Sequence, residues 1–263
     1  MRLRNLEEEL GIPLIERRQR FEGFTAEGER LLSWAKQTVS AFDGLKTEAH
    51  RLQGQLVGTL RIGMVPLSHV ELIPQLQQLR QQSPQIRFQL HSLSSQQIIE
   101  QLENNQLDIG LTYLSPVELT DYHVHPLGSP AVGLLSHPQL FSPADDQPLR
   151  WSQLAALPLG LLSHSMRFRQ GLEYSARQQG VELQPVLESD SVEHLLEATN
   201  AGLCCTLMPL PLPGCLPPHR LQLTAMQESL PQPALAMVCR RSVFSSNALV
   251  QALLQRVAAS GPQ

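Results

Sequence analysis

The chain has 263 residues, with 20 Lys or Arg against 24 Asp or Glu and a formal net charge of -4 at pH 7. This balance argues against a protein coated in nucleic acid, although it allows a small local basic patch. No apolar run approaches the roughly 18 residues that a membrane span needs. The N-terminus lacks an apolar signal core, so we expect a cytoplasmic protein. The length allows more than one domain and a substantial core.

The cysteines give little support to a metal site. Cys204, Cys205, Cys215 and Cys239 have neither C-x-x-C spacing nor nearby paired histidines, and we predict no metal. Buried or incidental thiols are the simpler interpretation. A redox sensor that uses Cys204 or Cys205 together with Cys215 is the alternative.

The N-terminal segment predicts a short helix followed by a two-stranded wing. Leucines spaced by three and four residues share one helix face, and Gly11 and Pro13 end the helix. The two short strands that follow are joined by a basic tip that contains Arg17, Arg18 and Arg20. Arginines at a hairpin tip suit contact with phosphates, and a solvated basic turn explains them equally well.

Residues 25–52 predict one long amphipathic helix with Thr25 as its N-cap. Its narrow apolar stripe consists of Leu32, Ala35, Val39, Phe42, Leu45, Ala49 and Leu52. A helix of this length cannot bury the whole stripe against its own domain, so we predict pairing with the same helix of a second copy, as in a short coiled coil. The alternative is an ordinary amphipathic helix that folds onto its own core.

After residue 58 the chain alternates predicted strands and helices. The strands are 59–65, 86–90 and 108–113, and the same plan recurs with strands at 159–162, 185–188 and 203–207. Strand–helix–strand order predicts parallel pairing with right-handed crossovers. We therefore predict an α/β fold with two Rossmann-like lobes, lobe I at about 58–128 and 232–258 and lobe II at about 129–231.

Short polar residues follow nearly every predicted strand. In open parallel sheets, ligands bind beyond the carboxyl ends of the strands, where helix N-termini offer free N–H groups. We predict a cleft between the lobes, much as in periplasmic binding proteins, for a small polar or anionic effector. The candidate residues are Pro66, Ser68, His69, Ser94, Ser95, Thr112, Ser163, His164, Ser165, Ser189 and Ser191. Helix capping explains each serine by itself, whereas their collective placement favours the cleft.

The segment RNLEEELGIPLIERR, followed by FTAEGERLL, carries a family resemblance. The matching elements are Leu6-Glu7, Leu10-Gly11-Ile12-Pro13-Leu14, Glu16-Arg17 and Thr25-Ala26-Glu27-Gly28-Glu29. This pattern resembles the end of the winged helix-turn-helix domain of LysR-type transcriptional regulators, and the resemblance continues with weaker identity along the chain. It implies a partial DNA-binding domain at 1–28, a linker and dimerisation helix at 25–55, and an effector-binding domain at 58–258 that resembles a type 2 periplasmic binding protein.

The resemblance also implies partners and roles. Operator DNA would contact Arg2 and Arg4, in the C-terminal part of a recognition helix, and the basic wing tip. Most of the helix-turn-helix would precede Met1, so we expect a chain truncated within that domain. The predicted function is effector-controlled transcription by a homodimer or homotetramer.

Other classes of function receive less support. The chain has no G-x-S-x-G, G-x-x-x-x-G-K-[ST] or H-E-x-x-H motif, and Asp108 suits a structural role at the start of a strand. We therefore predict no catalytic residues and no cofactor. The alternative function is a free-standing sensor or solute-binding protein that does not contact DNA, because most of the helix-turn-helix is missing.

Overall fold

A computed structural model describes residues 2–17, 21–53, 56–68, 72–113, 120–143, 147–210, 221–227 and 234–260. Its helices are α1 Arg2–Leu10, α2 Ala26–Leu52, α3 Leu72–Gln82, α4 Ser95–Glu103, α5 Trp151–Leu154, α6 Arg167–Gln178, α7 Val192–Asn200, α8 Arg241–Ser246 and α9 Ala248–Ser260. Its strands are β1 Ile15–Arg17, β2 Phe21–Phe24, β3 Gly58–Met64, β4 Ile86–Ser92, β5 Ile109–Tyr113, β6 Tyr122–Gly128, β7 Ala131–Ser136, β8 Leu159–Leu162, β9 Pro185–Ser189, β10 Cys205–Leu210, β11 Gln222–Ala225 and β12 Leu235–Arg240.

The N-terminal part is a helix joined to a two-stranded antiparallel wing. A carboxylate oxygen of Glu7 in α1 accepts hydrogen bonds from the backbone N–H of Leu14 at 2.8 Å and of Ile15 at 3.2 Å. Thr25 caps α2, because its Oγ1 accepts the N–H of Gly28 at 2.9 Å. The same hydroxyl donates to the carbonyl of Pro13 at 2.7 Å, so the wing and the long helix are tied together.

Lobe I is built on the sheet β4-β3-β5-β12-β6, with α3, α4, α8 and α9 packed around it. β3 pairs in parallel with β4 and β5, and β12 is antiparallel to β5 and β6. The buried carboxylate of Asp108 accepts the N–H of Arg61 at 2.8 Å and forms an ion pair with its guanidinium at 3.0 Å. Asp108 therefore fixes the start of β5 against β3, which is the structural role that its position predicts.

Lobe II is built on the sheet β11-β7-β10-β8-β9, with α5, α6 and α7. β8 pairs in parallel with β9 and β10, whereas β7 is antiparallel to β10 and β11. The chain passes from lobe I to lobe II between β6 and β7 and returns between β11 and β12. The predicted two-lobed α/β fold with parallel strand–helix units is confirmed.

Two adjacent glycines let α4 approach the lobe I sheet closely. Gly63 in β3 and Gly110 in β5 are neighbours in the parallel ladder. A Cβ at Gly110 would lie 2.4 Å from Cγ2 of Ile98, and a Cβ at Gly63 would lie 3.2 Å from Cγ1 of the same residue. The side chain of Ile98 therefore occupies the space that these glycines leave open.

One apolar cluster is continuous across both lobes. It combines Val65, Leu67, Ile98, Tyr113 and Val238 from lobe I with Leu134, Leu162, Phe168, Leu172 and Leu207 from lobe II. A second cluster fills the other side of the lobe I sheet, under α3 and α9. The apolar interiors of the two lobes are therefore in contact through the first cluster.

The substitution Gly110→Ala tests the close contact of α4. We expect it to lower the free energy of unfolding by about 1–3 kcal/mol, because the added methyl forces α4 away from the sheet. The matched control is Gly44→Ala in α2, where a Cβ would have no described atom within 4 Å. The control should raise stability by up to about 1 kcal/mol, since alanine favours helices. Urea unfolding followed by circular dichroism measures both, and equal effects would contradict the packing argument.

Candidate functional site

Ser94 acts as the N-cap of α4. Its Oγ accepts the N–H of Gln97 at 3.3 Å, and the side-chain oxygen of Gln97 accepts the N–H of Ser94 at 2.9 Å. These two hydrogen bonds form a complete capping box. The hydrogen bonds of Ser94 therefore cap the N-terminus of α4. Ser95, the next residue, is in a different environment.

Ser95 and Thr112 carry buried hydroxyl groups without a hydrogen-bond partner among the described residues. Their exposed fractions are 3% and 1%. Ser95 precedes Ile98 by one helical turn on the same buried face of α4. Thr112 follows Gly110 by two residues and so lies on the same face of the sheet, toward the carboxyl end of β5. Because Ile98 packs on Gly110, both hydroxyls lie at the N-terminal end of α4.

A cleft of about 990 Å³ separates the lobes near this end of the sheets. Lobe I contributes residues 64–68 and 90–92, and lobe II contributes the start of α7. Three carboxylates, Asp190, Glu193 and Glu197, line the lobe II side, and His91 lines the lobe I side. Leu67 in this cleft has a φ of +61°, a left-handed conformation that leucine rarely adopts.

The predicted effector residues divide between several places. Of those that the structure describes, Pro66, Ser68 and Ser191 line the cleft, whereas Ser94, Ser95, Thr112, Ser163, His164, Ser165 and Ser189 do not. His69 lies outside the described residues. Ser191 caps α7, since its Oγ accepts the N–H of His194 at 3.4 Å. The Oγ of Ser189 accepts the N–H of Ser191 and lies 3.1 Å from Nδ1 of His194.

The loop after β8 is tied to α6. The N–H of Ser163 donates to the carbonyl of Ser189 at 3.0 Å, and Gln170 donates to the carbonyl of His164 at 3.0 Å. Nδ1 of His164 lies 3.3 Å from a carboxylate oxygen of Glu173. Ser165 is exposed. His164 therefore faces a carboxylate of its own lobe.

A buried arginine organises the first turns of α6. Arg169 is 3% exposed and donates to Glu173 at 2.9 Å and to the carbonyl of Leu162 at 3.0 Å. Its guanidinium also lies 3.8 Å from Glu188 of β9. Burial alone would raise the pKa of Glu173, but Arg169 and His164 outweigh burial and hold the pKa of that carboxyl below its usual value.

The apolar stripe of α2 is largely uncovered in the single chain. Leu32 is half-buried, whereas the side chains of Ala35, Val39, Phe42, Leu45, Ala49 and Leu52 are exposed, with fractions from 56% for Phe42 to 76% for Leu52 among the large ones. Trp34 is not among the predicted stripe residues, but it is 67% exposed and lies on the side of α2 that carries the stripe. The spacing of 11 and 18 residues from Trp34 to Leu45 and Leu52 matches whole helical turns and could have revealed it.

The predicted DNA contacts are described only in part. Arg2 and Arg4 lie in α1, and the guanidinium of Arg4 is 3.2 Å from Glu8. Arg17 ends β1, and Arg18 and Arg20 lie outside the described residues. Leu3, Leu6 and Leu10 of α1 are each about two-fifths exposed, so the apolar face of α1 is uncovered in this chain.

The described thiols are poorly reactive. Cys204, Cys205 and Cys239 are buried, and Cys215 lies outside the described residues. Burial and the neighbouring Cys204 raise the pKa of Cys205 to about 11, and burial raises the pKa of Cys239 to about 12. Burial also raises the pKa of Cys204. Since the thiolate is the reactive form, burial makes these three residues poor candidates for the redox sensor.

Among the described residues, no helix is long and apolar enough to cross a membrane. The same part of the chain contains no group of three or more His, Cys, Asp and Glu side chains that could hold a metal ion.

Comparison with known proteins identifies the family. Residues 53–261 match the family model of the LysR substrate binding domain. The hydrogen peroxide-inducible genes activator of Haemophilus influenzae is 28% identical over 220 residues, which cover 79% of this chain and 68% of that protein. A structure of a Corynebacterium glutamicum OxyR C206 mutant is 25% identical, with a TM-score of 0.62 and coverage of 98% of this chain and 82% of that one.

A further structure supports the fold alone. Full-length CbnR complexed with its target DNA is 16% identical, with a TM-score of 0.71 and coverage of 98% of this chain and 87% of that one. The family model covers most of the chain, including both lobes. The chain therefore belongs to the LysR family of transcriptional regulators.

Proposed function

We propose that this chain is an effector-controlled, DNA-binding regulator of the cytoplasm that binds a small polar molecule at the N-terminus of α4. The observation that carries the proposal is the pair of buried, unpartnered hydroxyls of Ser95 and Thr112. A buried hydroxyl without a hydrogen bond costs roughly 1–3 kcal/mol, and a ligand in hydrogen-bonding contact would recover that cost. The first N–H groups of α4 add donors and a partial positive charge at the same place.

The effector chemistry follows from these groups. Hydroxyls and helix N–H groups suit acceptor oxygens, such as those of a carboxylate or carbonyl. The cleft ends on the lobe I side at Ser92, three positions before Ser95, and its lobe II side carries three carboxylates. Those carboxylates disfavour the approach of a multiply charged anion. We therefore favour an effector with acceptor oxygens and at most one negative charge.

The domain roles follow the family. We propose that residues 1–28 contribute to DNA binding and that 58–258 bind the effector, with α2 between them. Arg2, Arg4, Arg17, Arg18 and Arg20 are the proposed phosphate contacts, because arginines on a helix and a wing tip suit the DNA backbone. The CbnR complex, in which a protein of this fold is bound to target DNA, supports this assignment.

The exposed stripe of α2 supports assembly. A row of large apolar side chains along one helix face is unfavourable in water and favourable against an identical helix. Thr47, on the opposite side of α2, is 7% exposed and contacts the chain's own lobe near Gly58. One face of α2 therefore packs on lobe I, and we propose that the other packs on a second copy.

The double substitution Val39→Glu with Phe42→Glu tests this assembly. It should reduce the mass of the protein in light scattering to that of one chain, since unpaired carboxylates are costly to bury. The matched control is Ser33→Glu with Gln37→Glu, which places two charges at half-buried positions of α2 outside the apolar stripe. The control should keep the mass of the assembly. Fluorescence of Trp34 gives a second measurement, because its emission should shift to the red only when the stripe becomes exposed. An unchanged mass for the first variant contradicts the proposal.

Thermal-shift assays and calorimetry with benzoate, acetamide and citrate test the effector site. Benzoate or acetamide should stabilise the protein, and citrate should not, because of its charge. Ser95→Ala and Thr112→Val should each weaken binding of the stabilising compound about tenfold or more, with stability unchanged or raised. Ser94→Ala should do the opposite, lowering stability by about 1 kcal/mol with affinity preserved. Loss of stability without loss of affinity in all three variants would contradict the proposed effector site.

A peroxide sensor that works through the described thiols is the competing function. The name of the Haemophilus influenzae relative raises it. We expect Cys204, Cys205 and Cys239 to resist iodoacetamide at pH 7.5 in the folded protein and to react in urea, because burial disfavours their thiolates. Mass spectrometry of a Cys215→Ser variant measures these three residues alone. Rapid labelling of any of them in the folded state would restore the redox hypothesis.

A further inference from the structure

A second cavity, of about 1140 Å³, lies between α2 and lobe I, and we call it the α2 groove. Among the described residues, it shares no lining residue with the cleft between the lobes. The two cavities are at opposite ends of β3, since Gly58 lines the α2 groove and Met64 lines the cleft. The α2 groove has the size of a small-molecule site, and the proposed effector site does not account for it.

Small residues of α2 keep the groove open. Gln37, Ala41 and Gly44 all line it, and their spacing of four and three residues places them on one face of the helix. Thr47, one turn after Gly44, contacts lobe I, because its Oγ1 would lie 3.1 Å from a Cβ at Gly58. A Cβ at Gly44 would have no described atom within 4 Å. The space beside Gly44 is therefore not filled by the described part of lobe I.

Most charged groups in the described lining of the groove already have partners. Lys46 forms an ion pair with Asp43 at 3.7 Å, both on α2. Arg61 forms an ion pair with Asp108 at 3.0 Å, which ties β3 to the start of β5. Glu48 also has an interaction of its own. These groups therefore contribute little net charge to the groove.

Arg240 is the exception. It is the last residue of β12, and its Nη1 donates to the carbonyl of Glu103 at 3.2 Å and to Oδ1 of Asn105 at 3.4 Å. Both acceptors are uncharged, and no described carboxylate forms an ion pair with Arg240. Its Nε and Nη2 make no hydrogen bond to the described residues. Arg240 therefore brings to the groove a positive charge without a counter-ion and donors whose fork matches a carboxylate.

The lobe I wall also carries groups that suit hydroxyls. Thr59 of β3 and Ser242 of α8 line the groove, and each hydroxyl can donate and accept. Asn247 lines it beside the start of α9. Oδ1 of Asn247 accepts the N–H of Leu249 at 3.0 Å, which leaves its amide N–H groups as donors. The wall therefore offers several neutral hydrogen-bonding groups together with the charge of Arg240.

We propose that the α2 groove is a second small-molecule site, which binds a hydroxylated organic acid. The guanidinium of Arg240 binds the carboxylate of this ligand, and the side chains of Thr59, Ser242 and Asn247 bind its hydroxyl groups. Because one wall belongs to α2 and the other to lobe I, the bound ligand bridges them and stabilises their contact. The site is independent of the proposed effector site, which lies at the N-terminus of α4.

Calorimetry with gluconate and sorbitol tests the role of Arg240. Gluconate has a carboxylate and several hydroxyls, whereas sorbitol has hydroxyls alone. Wild-type protein should bind gluconate about tenfold or more tightly than sorbitol, because only gluconate pairs with the guanidinium. Arg240→Gln should abolish that preference, and Arg240→Lys, which keeps the charge, should retain part of it. Absence of gluconate binding, or an unchanged preference in Arg240→Gln, overturns the proposal.

The substitution Gly44→Gln tests the place of binding from the opposite wall. The longer side chain should occupy the groove and lower the affinity for gluconate about tenfold or more, since the ligand loses its space. The melting temperature of the ligand-free protein should stay the same or rise, because glutamine favours helices more than glycine does. The matched control is Gly44→Ala, which should preserve gluconate binding. Wild-type affinity for gluconate in Gly44→Gln overturns the assignment to this groove.

The same ligand separates the two proposed sites. Gluconate binding to the α2 groove should persist in the double variant Ser95→Ala with Thr112→Val and be lost in Gly44→Gln. The reverse result, loss in the double variant and persistence in Gly44→Gln, places gluconate at the effector site and overturns the proposal for the groove. Failure of benzoate and acetamide to bind the wild-type protein counts against the effector site alone.

Discussion

The close packing of α4 on Gly63 and Gly110 is the constraint on which the proposed site depends. A Cβ at Gly110 would lie 2.4 Å from Ile98, and a Cβ at Gly63 would lie 2.4 Å from Leu107 and 3.2 Å from Ile98. With both glycines in place, α4 packs closely on β5. Ser95 on α4 and Thr112 on β5 are both buried, and neither hydroxyl has a partner among the described residues. The close contact between α4 and the sheet therefore affects both the stability of lobe I and the burial of the two hydroxyls.

Much of the fold could be predicted because parallel strand–helix units have strong local patterns. The runs that form β5 and β8 are mostly apolar and fully buried, as central parallel strands require. The antiparallel strands at the crossings were harder to predict, since β6 contains Pro126 directly after His125 and β11 has only four residues. Their pairing with β12 and β7 depends on partners distant in sequence, which local patterning does not specify.

The proposed site rests on a group of predicted positions, and the structure separates their individual roles. Serines follow the strand ends as the sequence predicts, but sequence alone could not distinguish a cap from an unpartnered hydroxyl in the pair Ser94 and Ser95. Helical phase separates them, because Ser95 shares a face with Ile98 and Leu102, whereas Ser94 precedes the helix. The stack of Tyr113 on Phe168 joins residues 55 positions apart and has no local signal.

Lobe I connects the proposed site to the proposed assembly helix. β3 begins at Gly58, where a Cβ would lie 3.1 Å from both Thr47 of α2 and Leu249 of α9. The same strand ends at Met64, which lines the cleft. One strand thus spans from the packed face of α2 to the space between the lobes. α2 contacts α9 and packs on lobe I. In an assembly paired through α2, any motion of lobe II relative to lobe I is therefore also a motion relative to the second copy, which is how a small effector would act on the whole assembly.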